Sequence, residues 1–295
     1  MNKTARHIAP AFLLSIVLPV AIALLVWSCR ADPSSWRTPK PGSSIHIPVL
    51  AMHRVIPGRK DSYIMTPEDF DLLLTELARQ DFTPISLAQL EKALTRKGRL
   101  PPRPVVITFD DGFLDGYVHA FPILKRHNFK AAFFVPTGYI ADSPVEHIRW
   151  GEGIVPAGIT NADPGDLVCM NWSDLAKLRD AGMDIGSHGI SHLNMMKLDD
   201  AALKTELTLS RKTLEDHLGI GVTSITYPGG RRDDRVCQAA RDAGYTMGFR
   251  SHGSSILLYP TNLVDLKRVA IPGYGNVTQI VASLPGCDWK EAETK

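Results

Sequence analysis

Residues 103–135, RPVVITFDDGFLDGYVHAFPILKRHNFKAAFFV, contain the pattern that decides the fold. The apolar run at 103–109 predicts a buried strand, residues 117–127 predict a helix, and residues 130–135 predict a second strand. A strand–helix–strand unit of this kind indicates two parallel strands in one sheet. The segment therefore predicts an α/β protein.

Two adjacent carboxylates, Asp110 and Asp111, follow the first of these strands. Such neighbours repel one another unless a positive group holds them. An Asp-Asp-Gly sequence is typical of a turn that ends a strand. A metal site is the alternative, with one carboxylate on the ion and the other handling protons. The stretch by itself leaves both interpretations open.

The alternation of strands and amphipathic helices extends over residues 45–284. About seven strand–helix units in roughly 240 residues are enough for a distorted (β/α)7-type barrel in a single catalytic domain. A doubly wound open sheet is the alternative. The sequence has no GxGxxG after a strand and no GxxxxGK[ST], so nothing supports a nucleotide-binding site.

Composition narrows the functional classes. The chain has 295 residues, 44% of them hydrophobic, which is normal for a globular protein. The formal net charge is +2, from 33 basic and 31 acidic residues, so no strong field exists to recruit nucleic acid. Cys169, Cys237 and Cys287 show no CxxC spacing and define neither a zinc finger nor a particular disulfide.

The N-terminus predicts a membrane attachment. Residues 8–27, IAPAFLLSIVLPVAIALLVW, carry no charge and follow Lys3 and Arg6. About 20 apolar residues can span a bilayer, and basic residues before them favour a cytoplasmic N-terminus. We expect an uncleaved signal anchor over 1–30, with a periplasmic or extracytoplasmic catalytic domain. The rival interpretation is a lipoprotein processing site with Cys29 as the lipid acceptor.

Several predicted strands end in polar or glycine-rich groups. In a barrel of this type the functional site lies at the carboxyl ends of the strands, so these groups converge. They are His53, the pair Asp110 and Asp111, His188 with His192 in SHGISH, and the segment Tyr227–Gly230.

This combination favours a metal site. Two imidazoles four residues apart can share an ion if the segment turns helically, and a carboxylate from a neighbouring strand completes the set. Two histidines and one aspartate with an open position suit catalytic zinc, and also iron, cobalt or nickel. A water in the open position has its pKa lowered to about 7, and the second aspartate is placed to act as its base.

The motifs resemble those of a known family. TFDDG (108–112) and SHGISH (187–192) are similar to the first two signature motifs of the polysaccharide deacetylases, carbohydrate esterase family 4, whose core is the NodB homology domain. The resemblance covers residues 45–250. IPVLAMHRV (47–55) resembles the branch that acts on poly-β-1,6-N-acetylglucosamine and related exopolysaccharides.

The resemblance implies roles for individual residues. Asp110 would be the general base, and His53 in AMHRV the general acid. A divalent metal, usually zinc, with cobalt or nickel as alternatives, would be held by Asp111, His188 and His192. TYPGG (226–230) matches the third motif, in which the backbone N–H of Gly229 would stabilise the oxyanion, with Tyr227 and Arg231 beside the substrate.

The sequence also departs from the family pattern. Many relatives carry an arginine that contacts the base where this chain has Thr226, and Arg231 is a candidate replacement. An aromatic residue often occupies the position of Gly229, so sugar stacking is expected from elsewhere. No histidine follows residue 252, although many relatives take their acid from that region.

The expected function is metal-dependent N-deacetylation of an envelope or exported polysaccharide. The expected layout is an anchor (1–30), a linker (31–44), a deacetylase domain (45–287) and a polar tail (288–295). A polysaccharide synthase or export machinery is the expected partner, and nucleic acid is not. The alternatives are a deacylase of a lipid-linked or small amino sugar, and a non-catalytic carbohydrate-binding relative.

Overall fold

The computed structural model describes residues 33–39, 45–150, 153–155, 167–251, 253, 255–257 and 262–285. The predicted anchor (1–30), half of the linker (31–44) and the tail (288–295) lie outside the described residues, as do Cys29 and Cys287. Within the described part of the chain, no helix is long and apolar enough to span a membrane.

The described residues form short strands and mostly short helices. The strands are β1 (His46–Ile47), β2 (Val49–Met52), β3 (Arg54–Val55), β4 (Ile64–Met65), β5 (Thr83–Pro84), β6 (Pro104–Phe109), β7 (Ala132–Val135), β8 (His147–Arg149), β9 (Gly153–Val155), β10 (Asp184–Ser187), β11 (Ser224–Thr226), β12 (Met247–Phe249), β13 (Ile256–Leu257) and β14 (Val269–Ala270). The α-helices are α1 (Pro67–Arg79), α2 (Leu87–Leu94), α3 (Phe121–His127), α4 (Trp172–Asp180), α5 (Asp200–Leu218), α6 (Asp234–Asp242) and α7 (Val277–Ala282). Single 3₁₀ turns cover Pro33–Ser35, Thr137–Tyr139, Met195–Lys197 and Pro228–Gly230, and a π-helical turn at Gly116–Ala120 leads into α3.

One curled parallel sheet organises the domain. Its strand order is β12-β11-β10-β7-β6-β2-β14, and β5 pairs with the first residues of β6. From β2 to β12 the strands follow chain order in one direction, whereas a doubly wound sheet reverses its order at a switch point. The α/β fold with a parallel sheet is confirmed, and the doubly wound alternative is wrong.

The segment 262–270 connects the two edges of this sheet. Leu266 bridges Phe249 at the end of β12, and Val269 and Ala270 then pair with Leu50 and Ala51 of β2. The sheet therefore curls into a half-barrel, and this segment brings its side chains into the concave side.

The helix starts agree with the sequence. The Thr66 side chain accepts a hydrogen bond from Asp69 N at the beginning of α1, and Pro67 occupies the first helical turn. Ser86 and Gln89 form a capping box at the start of α2. These caps satisfy backbone N–H groups that the first turn of a helix leaves unpaired.

The side chains of β6 point alternately into two apolar layers. Val105, Ile107 and Phe109 pack with the helices α1 and α3 to α7, and Phe109 stacks on Phe133 at 5.1 Å. Val106 faces the other layer, with α2 and the β1–β13 pair. Because side chains alternate along a strand, Thr108 and Asp110 continue on the face of Val106.

Candidate metal centre and active site

A pocket of about 700 Å³ opens at the carboxyl ends of β2, β6 and β10. Parallel strands bring their carboxyl ends to one rim, so residues far apart in sequence meet there. The predicted site residues on its wall are His53, Asp110, Asp111, His188, His192 and Gly229. Two other predicted residues, Tyr227 and Arg231, are not among the lining residues described.

The predicted metal ligands lie together. Asp111 Oδ1 is 3.3 Å from His188 Nε2 and 3.4 Å from His192 Nε2. The three ligand atoms lie within 4.8 Å of one another. One carboxylate oxygen and two imidazole nitrogens at this spacing match the donor set of a divalent metal with an open coordination position.

The backbone around the ligands is unusual. Asp111 has φ 71° and His192 has φ 52°, a left-handed region that non-glycine residues rarely adopt. His188 and His192 are joined by a loop, not by the helical turn expected from their spacing. At Gly112, φ is 69° and a Cβ would lie 2.9 Å from a Val135 methyl, so this turn requires glycine.

Thr226 fixes the orientation of His188. The Nδ1 atom of His188 is 2.8 Å from the Thr226 carbonyl oxygen and 2.6 Å from Thr226 Oγ1. A carbonyl oxygen only accepts hydrogen bonds, so Nδ1 carries the proton and Nε2 is left for a metal. Thr226, at the position where an arginine was expected to contact the base, therefore orients His188, a predicted metal ligand.

Glu206 on α5 holds the loop between the two histidines. Its Oε2 accepts hydrogen bonds from Ile190 N at 2.6 Å and from Ser191 N at 3.2 Å, and the residue is buried. The rings of Trp150 and His192 also meet edge to face, with centroids 4.9 Å apart. Glu206 lies in the amphipathic pattern of a helix, so no local signal distinguished it from a surface acid.

Asp111 and His188 shift each other's pKa. Burial raises the pKa of Asp111, but hydrogen bonds from His188 and His192 lower it well below its ordinary range. Burial lowers the pKa of His188, but Asp111 and Asp110 bring it above its ordinary value. The carboxylate is therefore ionised and attracts a positive charge, which a divalent ion can supply in place of the imidazolium proton. The residues fit a metal.

Asp110 is bound by Arg268, a residue that the sequence analysis missed. Arg268 Nη1 donates to Asp110 Oδ1 at 2.8 Å and Nη2 donates to Oδ2 at 2.6 Å. Arg268 also donates to Thr108 Oγ1 and to the carbonyl oxygen of Arg250, and it is fully buried. The proposal that Arg231 replaces the missing arginine is wrong, because Arg268 in segment 262–270 contacts the carboxylate instead.

Arg268 controls the protonation of Asp110. Burial raises the pKa of this carboxyl group, but the charge and hydrogen bonds of Arg268, together with His188 and His53, bring the pKa below its ordinary value. Asp110 is therefore an ionised carboxylate in a buried place, which is the state that a general base requires.

His53 follows β2 and lines the pocket beside the aspartate pair, because Met52 and Phe109 are paired at the ends of the neighbouring strands β2 and β6. Burial lowers its pKa, and the carboxylates of Asp110 and Asp111 oppose this shift. The next residue, Arg54, donates from Nε to Asp115 Oδ2 at 2.8 Å, and Val55 N donates to Asp115 Oδ1 at 2.9 Å. This buried contact ties the His53 strand to the segment after the aspartate pair.

The third predicted motif is only partly on the pocket wall. Gly229 lines it with φ 61°, in the left-handed region. The Tyr227 ring is fully buried and its hydroxyl donates to the Val264 carbonyl oxygen at 2.8 Å, so its side chain supports the core and does not reach the substrate pocket. Arg231 is exposed beside Gly229.

Comparison with known proteins is consistent with this geometry. Residues 97–248, just over half of the chain, match the polysaccharide deacetylase family. The chain is 26% identical to "Putative polysaccharide deacetylase YxkH" of Bacillus subtilis (strain 168), over 78% of this chain and 72% of that protein. It is 27% identical to a poly-β-1,6-N-acetyl-D-glucosamine N-deacetylase of Staphylococcus aureus, over 52% of this chain but only 50% of that protein.

A solved structure shares the fold. The Streptococcus pyogenes deacetylase PplD, in complex with acetate, superimposes with a TM-score of 0.68 over 82% of this chain and 100% of that chain, at 22% identity. The extent of the family match shows more than a shared fold. This chain belongs to the polysaccharide deacetylase family, hydrolases of N-acetyl amide bonds.

Proposed function

We propose that this protein is a metal-dependent N-deacetylase of an N-acetylated amino-sugar polymer of the cell envelope or of an exported polysaccharide. The observation that carries the proposal is the pairing of an ionised, arginine-bound Asp110 with the adjacent ligand set Asp111, His188 and His192. A ligand set with a separate base beside it is what hydrolysis of an amide by activated water requires.

Asp111, His188 and His192 would hold the metal. When bound, it supplies Lewis acidity, which lowers the pKa of water and polarises the acetamide carbonyl. Zinc fits this mixed oxygen and nitrogen donor set, and cobalt or nickel also suit it.

Asp110 and His53 divide the proton transfers. Asp110 accepts the proton of the attacking water, and Arg268 keeps the carboxylate aligned and ionised for this step. His53 donates a proton to the departing amine, since a histidine can carry and release one near neutral pH. The backbone N–H of Gly229 stabilises the oxyanion, a contribution worth about 3–4 kcal/mol in a well-aligned site.

The substrate is assigned by similarity and by the site together. The S. aureus relative is named for poly-β-1,6-N-acetyl-D-glucosamine, which makes a β-1,6-linked N-acetylglucosamine polymer the first candidate. Ala270, Ile271 and Pro272 give the pocket an apolar wall, which suits one unit of a longer sugar chain. The matched relative is longer than the aligned region, so its remaining parts lend no support here.

The surroundings of the catalytic domain complete the proposal. The anchor over 1–30 and the linker over 31–44 place a domain at 45–287 on the far side of the membrane, with a tail over 288–295. The curled parallel sheet and its helices correspond to a distorted (β/α)7-type barrel. A synthase or an export machinery would deliver the polymer to this domain.

Acetate release by the full-length protein tests the function. The assay compares β-1,6-linked and β-1,4-linked N-acetylglucosamine oligomers and a lipid-linked N-acetylated amino sugar, each with zinc, cobalt or nickel. Release of acetate from the β-1,6-linked oligomers supports the proposal. Release from the β-1,4-linked oligomers alone would assign a β-1,4-linked polymer as the substrate instead. Release from a lipid-linked amino sugar alone favours that substrate class. Binding of oligomers without release under any of these metals would identify a carbohydrate-binding relative.

A further inference from the structure

We infer that Tyr63 and Tyr274 form a stacking subsite for the sugar unit next to the one being deacetylated. The inference rests on the proposed function and adds to it, since it names where an N-acetylated polymer is gripped. Gly229 offers no ring in the pocket where many relatives have an aromatic residue, and the two tyrosines supply the missing apolar faces.

The exposure of these two rings is the first observation. Tyr63 and Tyr274 are each 58% exposed, and both line the pocket of about 700 Å³. Among the described residues, they are the only aromatic side chains in the set of large exposed apolar residues; the others are aliphatic. Large exposed apolar surface inside a cleft, instead of scattered over the protein, indicates a binding site.

The loops that carry the rings are fixed. Asp61 Oδ1 accepts hydrogen bonds from Tyr63 N at 2.7 Å and from Ile64 N at 2.9 Å. The Asp61 carbonyl oxygen accepts a hydrogen bond from Gly273 N at 3.0 Å, which ties the two tyrosine loops together. A loop backbone that is held before binding loses little conformational freedom when a ligand arrives.

Gly273 shows how close the two loops are. A Cβ at this position would collide with the carbonyl oxygen of Ile64, so only glycine allows the loop of Tyr274 to approach the loop of Tyr63. The approach is built into the backbone and does not depend on flexible side chains.

The position of Tyr63 links the subsite to the chemistry. Its ring meets the His53 ring edge to face, with centroids 4.9 Å apart at 78°. A sugar unit on Tyr63 would therefore lie beside the acid that protonates the leaving amine. Aliphatic C–H groups of an uncharged pyranose can pack on an aromatic face while the hydroxyl groups stay in water.

Ring removal tests the subsite directly. Tyr63→Leu and Tyr274→Leu keep apolar bulk in the loops but remove the aromatic face, and Tyr63→Phe and Tyr274→Phe keep the face. For a β-1,6-linked N-acetylglucosamine pentamer, each Leu variant is expected to raise KM about tenfold with a much smaller change in kcat. The Phe variants are expected to stay within about twofold, consistent with a stacking role.

A matched control and a binding readout separate the possible outcomes. Leu209→Ala removes an exposed side chain of α5, 49% exposed and outside the pocket, and should leave KM as in the wild type. Calorimetric titration of the pentamer into zinc-loaded Asp110→Asn protein, with and without each Leu substitution, measures the same loss as a change in Kd.

The inference and the proposed function fail in different ways. If the wild type deacetylates the pentamer and the Leu variants bind and turn it over as well as the wild type, the stacking subsite is wrong and the proposed function stands. If the wild type neither binds nor deacetylates any of the oligomers, the proposed function fails and the subsite with it.

Discussion

Arg268 and Asp110 lie 158 positions apart in sequence and form a two-pronged, fully buried ion pair at the base of the pocket. The Nη1–Oδ1 and Nη2–Oδ2 distances are 2.8 and 2.6 Å. A buried carboxylate without this partner would favour its neutral form, so Asp110, the proposed base, depends on a residue outside its own motif.

Replacing Arg268 is expected to change the pH dependence of the reaction. In Arg268→Gln, the burial of Asp110 is no longer offset by a cation, so the pKa of this carboxyl group rises and the base becomes protonated at a higher pH. The acidic limb of the pH profile of kcat/KM should therefore move to higher pH. Activity at pH 7 should fall about 10²-fold or more.

The control for this variant is Arg232→Gln. Arg232 also makes two hydrogen bonds to an aspartate, Asp265, but neither residue lines the pocket. Its profile should keep the wild-type acidic limb. An unchanged limb in Arg268→Gln would show that Arg268 does not set the protonation of the base.

Metal binding is expected to strengthen as pH rises. The pKa of His188 in the metal-free protein lies above its ordinary value of 6.5, and a bound metal requires the neutral ring. In the metal-free protein, the protonated His188 ring contributes stability that is fully present below pH 6.5 and is lost as the pH rises through the raised pKa. A bound metal takes the place of this proton. The increase in Tm on adding zinc should therefore be larger at pH 8 than at pH 6.

Scanning calorimetry with zinc or with a chelator at both pH values measures this difference. His127→Gln is a suitable control, because His127 is paired with Asp71 and neither residue lines the pocket. An equal effect of zinc at both pH values would mean that no proton leaves the ligands on binding.

Glu206 is expected to affect metal affinity although it is not a ligand. In Glu206→Ala, the N–H groups of Ile190 and Ser191 lose their acceptor, so the loop that places His192 is less well ordered. Support of this kind is typically worth about 10- to 100-fold in metal affinity. Competition against a chelating dye measures the change.

Glu215→Ala on the same helix is the comparison for Glu206→Ala. Glu215 also accepts a backbone hydrogen bond, from Val222 N, but lies far from the ligands in the fold of α5. Equal zinc affinity in the two variants would contradict the role given to Glu206.

The pair of Arg54 and Asp115 is expected to stabilise the domain. Both side chains are about 95% buried or more, and Arg54→Met leaves a buried carboxyl group without its cation. This should lower the free energy of unfolding by about 3–5 kcal/mol, whereas replacing both residues by apolar ones should restore much of it.

Denaturant unfolding measures this effect, with Arg126→Met as the control. Arg126 pairs with Asp71, but its side chain is 59% exposed, so the loss should be below about 1 kcal/mol. A similar small loss in Arg54→Met would show that the buried pair contributes little.

Local patterns predicted much of the fold. The capping residues Thr66 and Ser86 mark the starts of α1 and α2, since caps act within a few residues of sequence. The short pairs β3–β4 and β8–β9 were not predicted, because two- and three-residue strands carry too little periodicity.

Some residues of the candidate site could be predicted from the sequence and others could not. Asp111, His188 and His192 follow from strand ends that the chain order brings to one rim. Arg268 could not be found in this way, because its partner is set by the curl of the sheet and not by any spacing. The motif predicted Tyr227 beside the substrate, because the sequence of the motif does not show which of its side chains are buried. In the fold, the Tyr227 ring is buried and its hydroxyl group donates to the Val264 carbonyl oxygen.

The most direct test compares acetate release by the wild type and by Asp110→Asn, each with one zinc ion bound per chain. The substrate is a β-1,6-linked N-acetylglucosamine oligomer. We predict steady release by the wild type and a rate at least about 10²-fold lower in the variant at equal zinc content, because the ligands remain and only the base is lost. A variant that keeps the wild-type rate would contradict the mechanism.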